Sequence, residues 1–140
     1  MRFWDTSALA PLLSREPASE SRQALLAEDP LPVVWWGTRL ECLSAIVRKA
    51  RETAAAHAAT EAAVARLDAL SRGWLEILPT DSLRATAERN LRVHALRTAD
   101  ALQLAAALEA CRFDPRRLPF VCADERLADA ARKEGFAVLR

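Results

Sequence analysis

Four acidic residues that lie far apart in the sequence stand where a predicted strand ends or a predicted helix begins. Asp5 and Asp124 directly follow short apolar strands, Glu41 lies in the first turn of the helix after the second strand, and Asp100 opens a later helix. In a parallel sheet these positions meet at the carboxyl edge, where α/β proteins bind their ligands. Four carboxylates at one edge repel one another, and Mg²⁺ or Mn²⁺, which prefer oxygen ligands, relieve that repulsion. These positions therefore predict a site for a divalent cation at this edge of the sheet.

Short apolar runs alternate with longer helical segments and predict the elements that position these acids. The predicted strands are Arg2–Trp4, Pro32–Trp36, Trp74–Leu78, Pro119–Ala123 and Ala137–Leu139. The predicted helices are Ser7–Ser14, Pro17–Glu28, Thr38–Thr53, Ala55–Ser71, Asp81–Leu96, Thr98–Arg112 and Asp124–Lys133. This alternation is typical of a three-layer α/β/α fold, in which helices cover both faces of a central parallel sheet of about five short strands.

Each of the four acids also has an ordinary interpretation as a helix cap. Glu41 stands three residues after Thr38, which fits a capping box in which Glu41 bonds the backbone N–H of Thr38. Asp5 and Asp124 suit N-cap positions, and Asp100 lies at the positive end of a helix dipole. Asp100, however, has the phase of the apolar face of its helix, so we expect it to point inward. An inward carboxylate is costly unless it is paired or coordinated.

Size and composition fit one globular domain that spans residues 1–140. Hydrophobic residues make up 51% of the 140 residues, which is enough to bury a core, and the formal net charge is +1. A wholly basic coat for nucleic acid is therefore excluded, and so is an acidic disordered tail.

Other residue types narrow the chemistry further. Cys42, Cys111 and Cys122 are odd in number and widely spaced, which argues against a disulfide framework or a zinc site. His57 and His94 lie far apart and Tyr is absent, so a histidine pair or a tyrosine nucleophile is not expected. Without a signal peptide or an apolar run long enough to cross a membrane, we expect a cytoplasmic protein with no membrane partner.

The four acids lie in four sequence blocks, of which the first and third are specific and the second is weak alone. The blocks are Asp5-Thr6-Ser7-Ala8-Leu9, Thr38-Arg39-Leu40-Glu41, Arg97–Ala107 and Val121–Leu127. Together these blocks resemble PIN domains, and most closely the VapC-type ribonuclease toxins of bacterial toxin–antitoxin pairs. The resemblance covers essentially the whole chain and implies a PIN-like fold.

The resemblance also implies a function. It implies an endoribonuclease that depends on Mg²⁺ or Mn²⁺, with Asp5, Glu41, Asp100 and Asp124 as its catalytic and metal-binding residues. Thr6 would orient a carboxylate or a water molecule beside them. The resemblance further implies a homodimer and a cognate antitoxin that neutralises the toxin. The sequence leaves open which carboxylate acts as general base.

An acidic cleft that binds RNA needs basic residues at its rim, because the phosphate backbone is negatively charged. The candidates for RNA binding are Arg39 and Arg97, which are near the acids in sequence, and Arg116 and Arg117, which occupy a loop. The alternative is that these are ordinary surface arginines. For the tryptophans Trp4, Trp35 and Trp36 we expect packing in the core or at a dimer face, with base stacking as the alternative.

Other proteins with open parallel sheets fit the sequence less well. A receiver domain needs a lysine after a late strand, and neither Lys49 nor Lys133 has that position. A haloacid-dehalogenase-like phosphatase needs Asp-x-Asp after the first strand, where this chain has Asp5-Thr6-Ser7. The remaining alternative is a catalytically inactive PIN-like module that binds RNA or protein. The presence of all four acids argues against it, because buried negative charge does not help a protein to bind RNA.

Overall fold

In the computed structural model, which describes residues 1–14 and 19–140, five short parallel strands form one sheet. The strands are β1 (Phe3–Trp4), β2 (Val33–Trp35), β3 (Leu75–Ile77), β4 (Phe120–Val121) and β5 (Val138–Leu139). They are arranged in the order β3-β2-β1-β4-β5, and every neighbouring pair is parallel. Each predicted strand is present in a shorter form, so the predicted parallel sheet is confirmed.

Seven α-helices connect these strands in the described part of the chain. They are α1 (Thr6–Ser14), α2 (Ser19–Ala27), α3 (Thr38–Thr53), α4 (His57–Ser71), α5 (Asp81–Val93), α6 (Thr98–Ala110) and α7 (Glu125–Lys133). The prediction for α3 is correct at both ends, and α1, α4, α5, α6 and α7 each have one end as predicted. The remaining described ends differ from the predictions by one to three residues. The predicted start of the second helix at Pro17 lies outside the described residues. No helix in the described ranges is both long and apolar enough to cross a membrane.

The sheet separates two hydrophobic cores, because successive residues of a strand point to opposite faces. Phe3 and Phe120 stack with their ring centroids 5.2 Å apart in the core formed with α5, α6 and α7. Trp4 and Val34 point to the other face and pack against α1, α3 and α4. The edge strands β3 and β5 are only partly buried, whereas β1, β2 and β4 are buried. The three-layer α/β/α arrangement is therefore confirmed.

The order in which the chain adds strands to the sheet reverses between β1 and β4, although these two strands are parallel. After β1 the chain proceeds outward to β2 and β3, and it then returns through α5 and α6 to β4 and β5 on the other side. Connections that leave two neighbouring strands in opposite directions open a crevice at the carboxyl edge, and open α/β sheets bind their ligands there. Residues that directly follow β1 and β4 line this crevice.

Candidate active site

The four acids line one cleft of about 600 Å³ at the carboxyl edge of the sheet. Asp5 and Asp124 come from the ends of β1 and β4, Glu41 comes from α3, and Asp100 comes from α6. The structure thus brings the four acids together, as their positions beside strand and helix ends predicted. The same cleft is also lined by Thr6, Ser7, Ala10, Leu40, Ser44, Ala45, Arg48 and Ala99.

Asp5 is the most deeply buried of the four acids, with 4% of its surface exposed. Its Oδ2 atom accepts hydrogen bonds from the backbone N–H of Ser7 at 2.9 Å and from the Ser7 hydroxyl, and the Cys122 thiol lies 3.6 Å away. Burial raises the pKa of Asp5 to about 6, and the charge of Glu41 adds to the rise, while the hydrogen bonds from Ser7 oppose it. Asp5 therefore caps α1 and also carries an electrostatically unfavourable charge in the cleft.

Ser7 connects the two junctions that form the cleft. Its hydroxyl donates to Asp5 Oδ2 and accepts from the backbone N–H groups of Ala123 and Asp124, at 2.9 and 3.0 Å. One side chain thus ties the β1–α1 junction to the β4–α7 junction. Ser7 was not among the predicted site residues, although a serine two residues after an aspartate at a helix start is a signal for such local bonding.

Glu41 is held across the cleft by two polar side chains. Its Oε2 atom accepts from the Thr6 hydroxyl at 2.7 Å and from the Gln103 amide nitrogen at 3.0 Å. The capping-box interpretation of Glu41 is wrong, because these contacts occupy the carboxylate and no side chain caps α3 at its first turn. Thr6, by contrast, lies beside a carboxylate, where the family resemblance places it.

Gln103 is a buried polar residue that the sequence analysis missed. It is 1% exposed, and its amide nitrogen lies 2.9 Å from the Thr6 hydroxyl and 3.2 Å from the Thr38 hydroxyl, in addition to its contact with Glu41. An amide NH₂ group has two hydrogens, so it serves two of these three acceptors at a time. Gln103 stands three residues after Asp100 on α6, and this spacing was the available signal that it faces the same region.

Asp100 and Asp124 form the more open side of the cleft. Asp124 is exposed and caps α7, because its Oδ1 atom accepts from the backbone N–H of Leu127 at 2.8 Å. Asp100 is half-buried in the first turn of α6, which agrees with the predicted inward phase. Burial raises the pKa of Asp100, and the neighbouring charge of Asp124 adds to this effect. Asp124 thus caps a helix and Asp100 lies at the positive end of a helix dipole, and both nevertheless line the cleft.

Three of the four arginines proposed for RNA binding do not reach the cleft. Arg39 is held by Asp68 at 2.7 Å on α4. Arg116 and Arg117 both pair with Asp114, at 2.9 and 3.1 Å, in the segment that precedes β4. This segment lies at the amino edge of the sheet, opposite the acids. The sequence already contained this signal, because a loop that directly precedes a parallel strand lies at the amino edge of the sheet.

Arg97 and Arg48 differ from those three arginines. Arg97 immediately precedes α6, and its charge acts on Asp100 three residues later. Arg48, which the sequence analysis missed, lines the cleft directly. On α3 it stands seven residues after Glu41, so both residues lie on the same face of the helix together with Ser44 and Ala45. That helical stripe was visible in the sequence.

The tryptophans are divided between core and surface. Trp4 and Trp35 are buried, which confirms core packing for both, and the indole N–H of Trp4 donates to Asp29 at 2.9 Å. Trp36 is 46% exposed at the end of β2. The Trp35 ring lies so close to Gly37 that a Cβ atom there would be 2.5 Å from the indole nitrogen. Glycine is therefore required at the turn that leads into α3.

The fit of the cleft to a metal ion depends on how many protein ligands the ion needs. Among residues 1–14 and 19–140, no group of three or more His, Cys, Asp and Glu side chains is arranged so that it could hold a metal ion. The cleft therefore does not fit an ion that demands a complete protein cage. It does fit Mg²⁺, which keeps several water molecules and usually binds proteins through one or two carboxylates. The all-oxygen donor set and the raised pKa of Asp5 agree with this preference.

Comparisons with known proteins establish the fold. No protein-family model and no curated protein matches the sequence. A solved chain described as a toxin–antitoxin complex from Klebsiella pneumoniae matches with a TM-score of 0.67 and 20% identity, covering 100% of this chain and 97% of that one. VapC20 of Mycobacterium tuberculosis, described as a sarcin–ricin-loop-cleaving toxin, matches with a TM-score of 0.72 and 21% identity, covering 100% and 99%.

The chain has the VapC-type PIN fold. The predicted PIN-like architecture is thereby confirmed over the full length of the sequence. In this VapC-type fold, the cleft lies at the carboxyl edge of the sheet.

Proposed function

We propose that the chain is a metal-dependent endoribonuclease that hydrolyses RNA phosphodiester bonds and acts as the toxin of a toxin–antitoxin pair. The observation that carries the proposal is the convergence of four carboxylates, from four separate elements, in one cleft at the switch point of the sheet. Support comes from the fold, which is shared with a chain of a toxin–antitoxin complex and with a toxin that cleaves the sarcin–ricin loop.

In this proposal, different residues of the cleft hold the ion from different sides. A bound Mg²⁺ or Mn²⁺ would lower the pKa of a coordinated water molecule and stabilise negative charge on the phosphate. Asp5 and Glu41 would hold the ion from the buried side, and Asp100 and Asp124 from the open side. Ser7 positions Asp5 and Thr6 positions Glu41, each through a hydrogen bond to the carboxylate.

The raised pKa of Asp5 supports a cation at this position. Burial and the charge of Glu41 make ionised Asp5 unfavourable in the free protein. A divalent cation would favour the ionised form, because opposite charges at short range stabilise each other. We therefore expect the protein to bind the ion more weakly below about pH 6, where Asp5 is protonated.

RNA cleavage with and without chelator tests the proposal. Purified protein should cut single-stranded RNA in the presence of Mg²⁺ or Mn²⁺ and should stop when EDTA is added. Asp5→Asn and Asp100→Asn should each lose most of this activity, by about 100-fold or more, because each removes a proposed ligand. Asp129→Asn is the matched control, since Asp129 is an exposed acid on α7 that pairs with Arg132 outside the cleft.

Two results would reject the proposed chemistry. Robust cleavage in EDTA would exclude dependence on a divalent cation. Undiminished cleavage by the Asp100→Asn variant would exclude the four-acid cleft as the site. RNA binding without any cleavage would favour the catalytically inactive module that the sequence left as the alternative.

The proposed toxin acts in the cytosol as a homodimer and is neutralised by a cognate antitoxin. Large apolar side chains remain exposed in the single chain, among them Leu40, Leu78 and Val93 at 57–60%. Light scattering should give about twice the 15.4 kDa mass of one chain. A strict monomer at tens of micromolar, roughly the range in which weak association is populated, would contradict the homodimer. For the antitoxin, we expect a small protein encoded beside this gene whose co-expression abolishes cleavage.

A further inference from the structure

RNA must approach a cleft that is lined by four carboxylates, so cations close to these acids determine whether it can bind. Many arginines of the described chain already pair with a carboxylate, which competes with a phosphate for them. These are Arg2, Arg39, Arg84, Arg89, Arg116, Arg117, Arg132 and Arg140. The arginines beside the cleft are different.

Three exposed arginines at the cleft have no carboxylate partner in an ion pair within the described ranges. Arg48 lines the cleft on α3. Arg97 stands directly before α6 and Arg126 is the second residue of α7, each within three residues of a cleft acid. The charges of Arg97 and Arg126 both act on Asp100. Their guanidinium groups are therefore near the cleft and free to bind another anion.

The three arginines come from opposite layers of the fold. Helix α3 packs on one face of the sheet through Cys42 and Ile46, whereas α6 and α7 pack on the other face through residues such as Leu104 and Leu127. The acids at the carboxyl edge of the sheet therefore lie between Arg48 on one side and Arg97 with Arg126 on the other. A strand of RNA that crosses the acids meets a guanidinium group on each side.

We propose that Arg48, Arg97 and Arg126 form a phosphate clamp, which binds the phosphates of single-stranded RNA on both sides of the bond that lies over the acids. This inference rests on the proposed function and specifies which residues hold its substrate. Arginine suits the task because its planar guanidinium group binds phosphate through two parallel hydrogen bonds. The clamp leaves one of the four carboxylate charges uncompensated, and a divalent cation would make the cleft net positive.

The salt dependence of RNA binding tests the clamp. The parent protein is the Asp5→Asn variant in EDTA, so that a labelled single-stranded oligoribonucleotide remains intact while its affinity is measured across a KCl series. For single strands the slope of log K against log salt changes by about 0.7 for each phosphate contact. Arg48→Gln, Arg97→Gln and Arg126→Gln should therefore each reduce the slope by about 0.7, and the triple variant by about 2.

Two control variants separate the clamp from a general effect of net charge. Arg116→Gln removes an arginine that is paired with Asp114 at the amino edge. Arg112→Gln removes an exposed arginine just after the C-terminal end of α6, at the opposite end of that helix from Asp100. Both variants should keep the slope of the parent. Thermal unfolding should show that all the variants remain folded, since none of the exchanged side chains is buried.

The outcomes distinguish the clamp from the proposed function. The clamp is overturned if the three cleft variants keep the parent slope, or if the two controls lower it equally. If the wild-type protein cleaves RNA with Mg²⁺ but the three cleft variants keep the parent slope, the clamp alone is wrong. If the wild-type protein fails to cleave and the three cleft variants still lower the slope, the clamp stands and the proposed nuclease activity is wrong.

Discussion

The two sides of the cleft hold their acids by different means. Asp5 and Glu41, the inner pair, are fixed by side-chain hydrogen bonds from Ser7, Thr6 and Gln103. Asp100 and Asp124, the outer pair, sit at the starts of two helices, close to arginines that belong to the proposed clamp. The inner pair is thus positioned by side-chain hydrogen bonds. The outer pair is positioned by the starts of two helices and is more exposed to solvent.

This difference determines which of the acids in the cleft reduce the stability of the fold when they are ionised. Burial raises the pKa of Asp5 to about 6, so ionisation of this residue opposes folding at neutral pH. Asp100 is only half-buried, and nearby arginines offset part of the repulsion from Asp124. We infer that substitutions in the inner pair and its network have larger effects on stability than substitutions in the outer pair.

The largest expected effect is the pH dependence that Asp5 contributes. Its pKa rises from the ordinary 3.8 to about 6 in the folded chain, so the folded chain binds more protons in this window. The contribution of Asp5 to the free energy of unfolding therefore falls as the pH rises from about 4 to about 6, by up to about 3 kcal/mol. Urea unfolding in EDTA should show the wild type losing stability relative to Asp5→Asn across this window. A difference that does not vary with pH would contradict the prediction.

The Ser7→Ala substitution should have the next largest effect. It removes the hydroxyl that bonds Asp5 and the backbone N–H groups of Ala123 and Asp124. Loss of a hydrogen bond to a charged group costs about 1.5–3 kcal/mol, and the pKa of Asp5 should rise further because a bond to its ionised form is lost. Chemical unfolding at several pH values measures both effects. Ser44→Ala, in the same cleft, is the control and should stay within about 0.5 kcal/mol of the wild type.

Gln103→Met should weaken the hold on Glu41 while preserving the shape of the side chain. The variant leaves Glu41, Thr6 and Thr38 without their shared amide donor, and we expect a loss of stability of about 1–3 kcal/mol. A residue that only positions a ligand should also change metal affinity, by about 10–100-fold. Calorimetric titration with Mn²⁺ measures that affinity, with the exposed Gln23→Met as control. Unchanged affinity for Mn²⁺ would limit Gln103 to a structural role.

The smallest effect is expected for the outer pair. Asp100→Asn removes a like charge and keeps the shape, so stability in EDTA should be unchanged or rise by about 0.5–2 kcal/mol. The wild type should gain stability as Mg²⁺ or Mn²⁺ is added, and the variant should gain less, because ligand binding stabilises only the folded state. Thermal melts across a metal titration compare the two. A clear loss of stability in EDTA, with no response of the wild type to metal, would reject the shared cleft.

The sequence predicted the strands and helices well, and also the position of the four acids at one edge of the sheet, because both depend on local patterns. Five apolar runs became the five strands, and residues that follow parallel strands must lie at one edge. Asp5 and Asp124 were thus placed by strand position alone. Their caps were also predicted, because a cap requires only a short stretch of sequence.

Contacts that cross the cleft were not predictable in the same way. The pattern around Glu41 fits a local capping box, yet the carboxylate bonds Thr6 and Gln103, which are distant in sequence. Arg39 is adjacent to the site in sequence but turns toward Asp68 on a neighbouring helix. Whether a polar side chain finds a local or a distant partner depends on packing, and the helical stripe that includes Arg48 was the clearest signal that the sequence analysis overlooked.

The bond between Ser7 and Ala123 joins residues that are 116 positions apart in the chain. Strand β1 is synthesised long before β4, but it lies in the middle of the sheet and needs β4 as its neighbour. Contacts between residues so far apart in sequence form late in folding. Closing the long loop costs conformational entropy before these contacts can stabilise the fold. On the ribosome, the β1–β4 junction therefore cannot close until residue 124 has left the exit tunnel. A finished cleft can therefore exist only after both ends of this long connection have emerged.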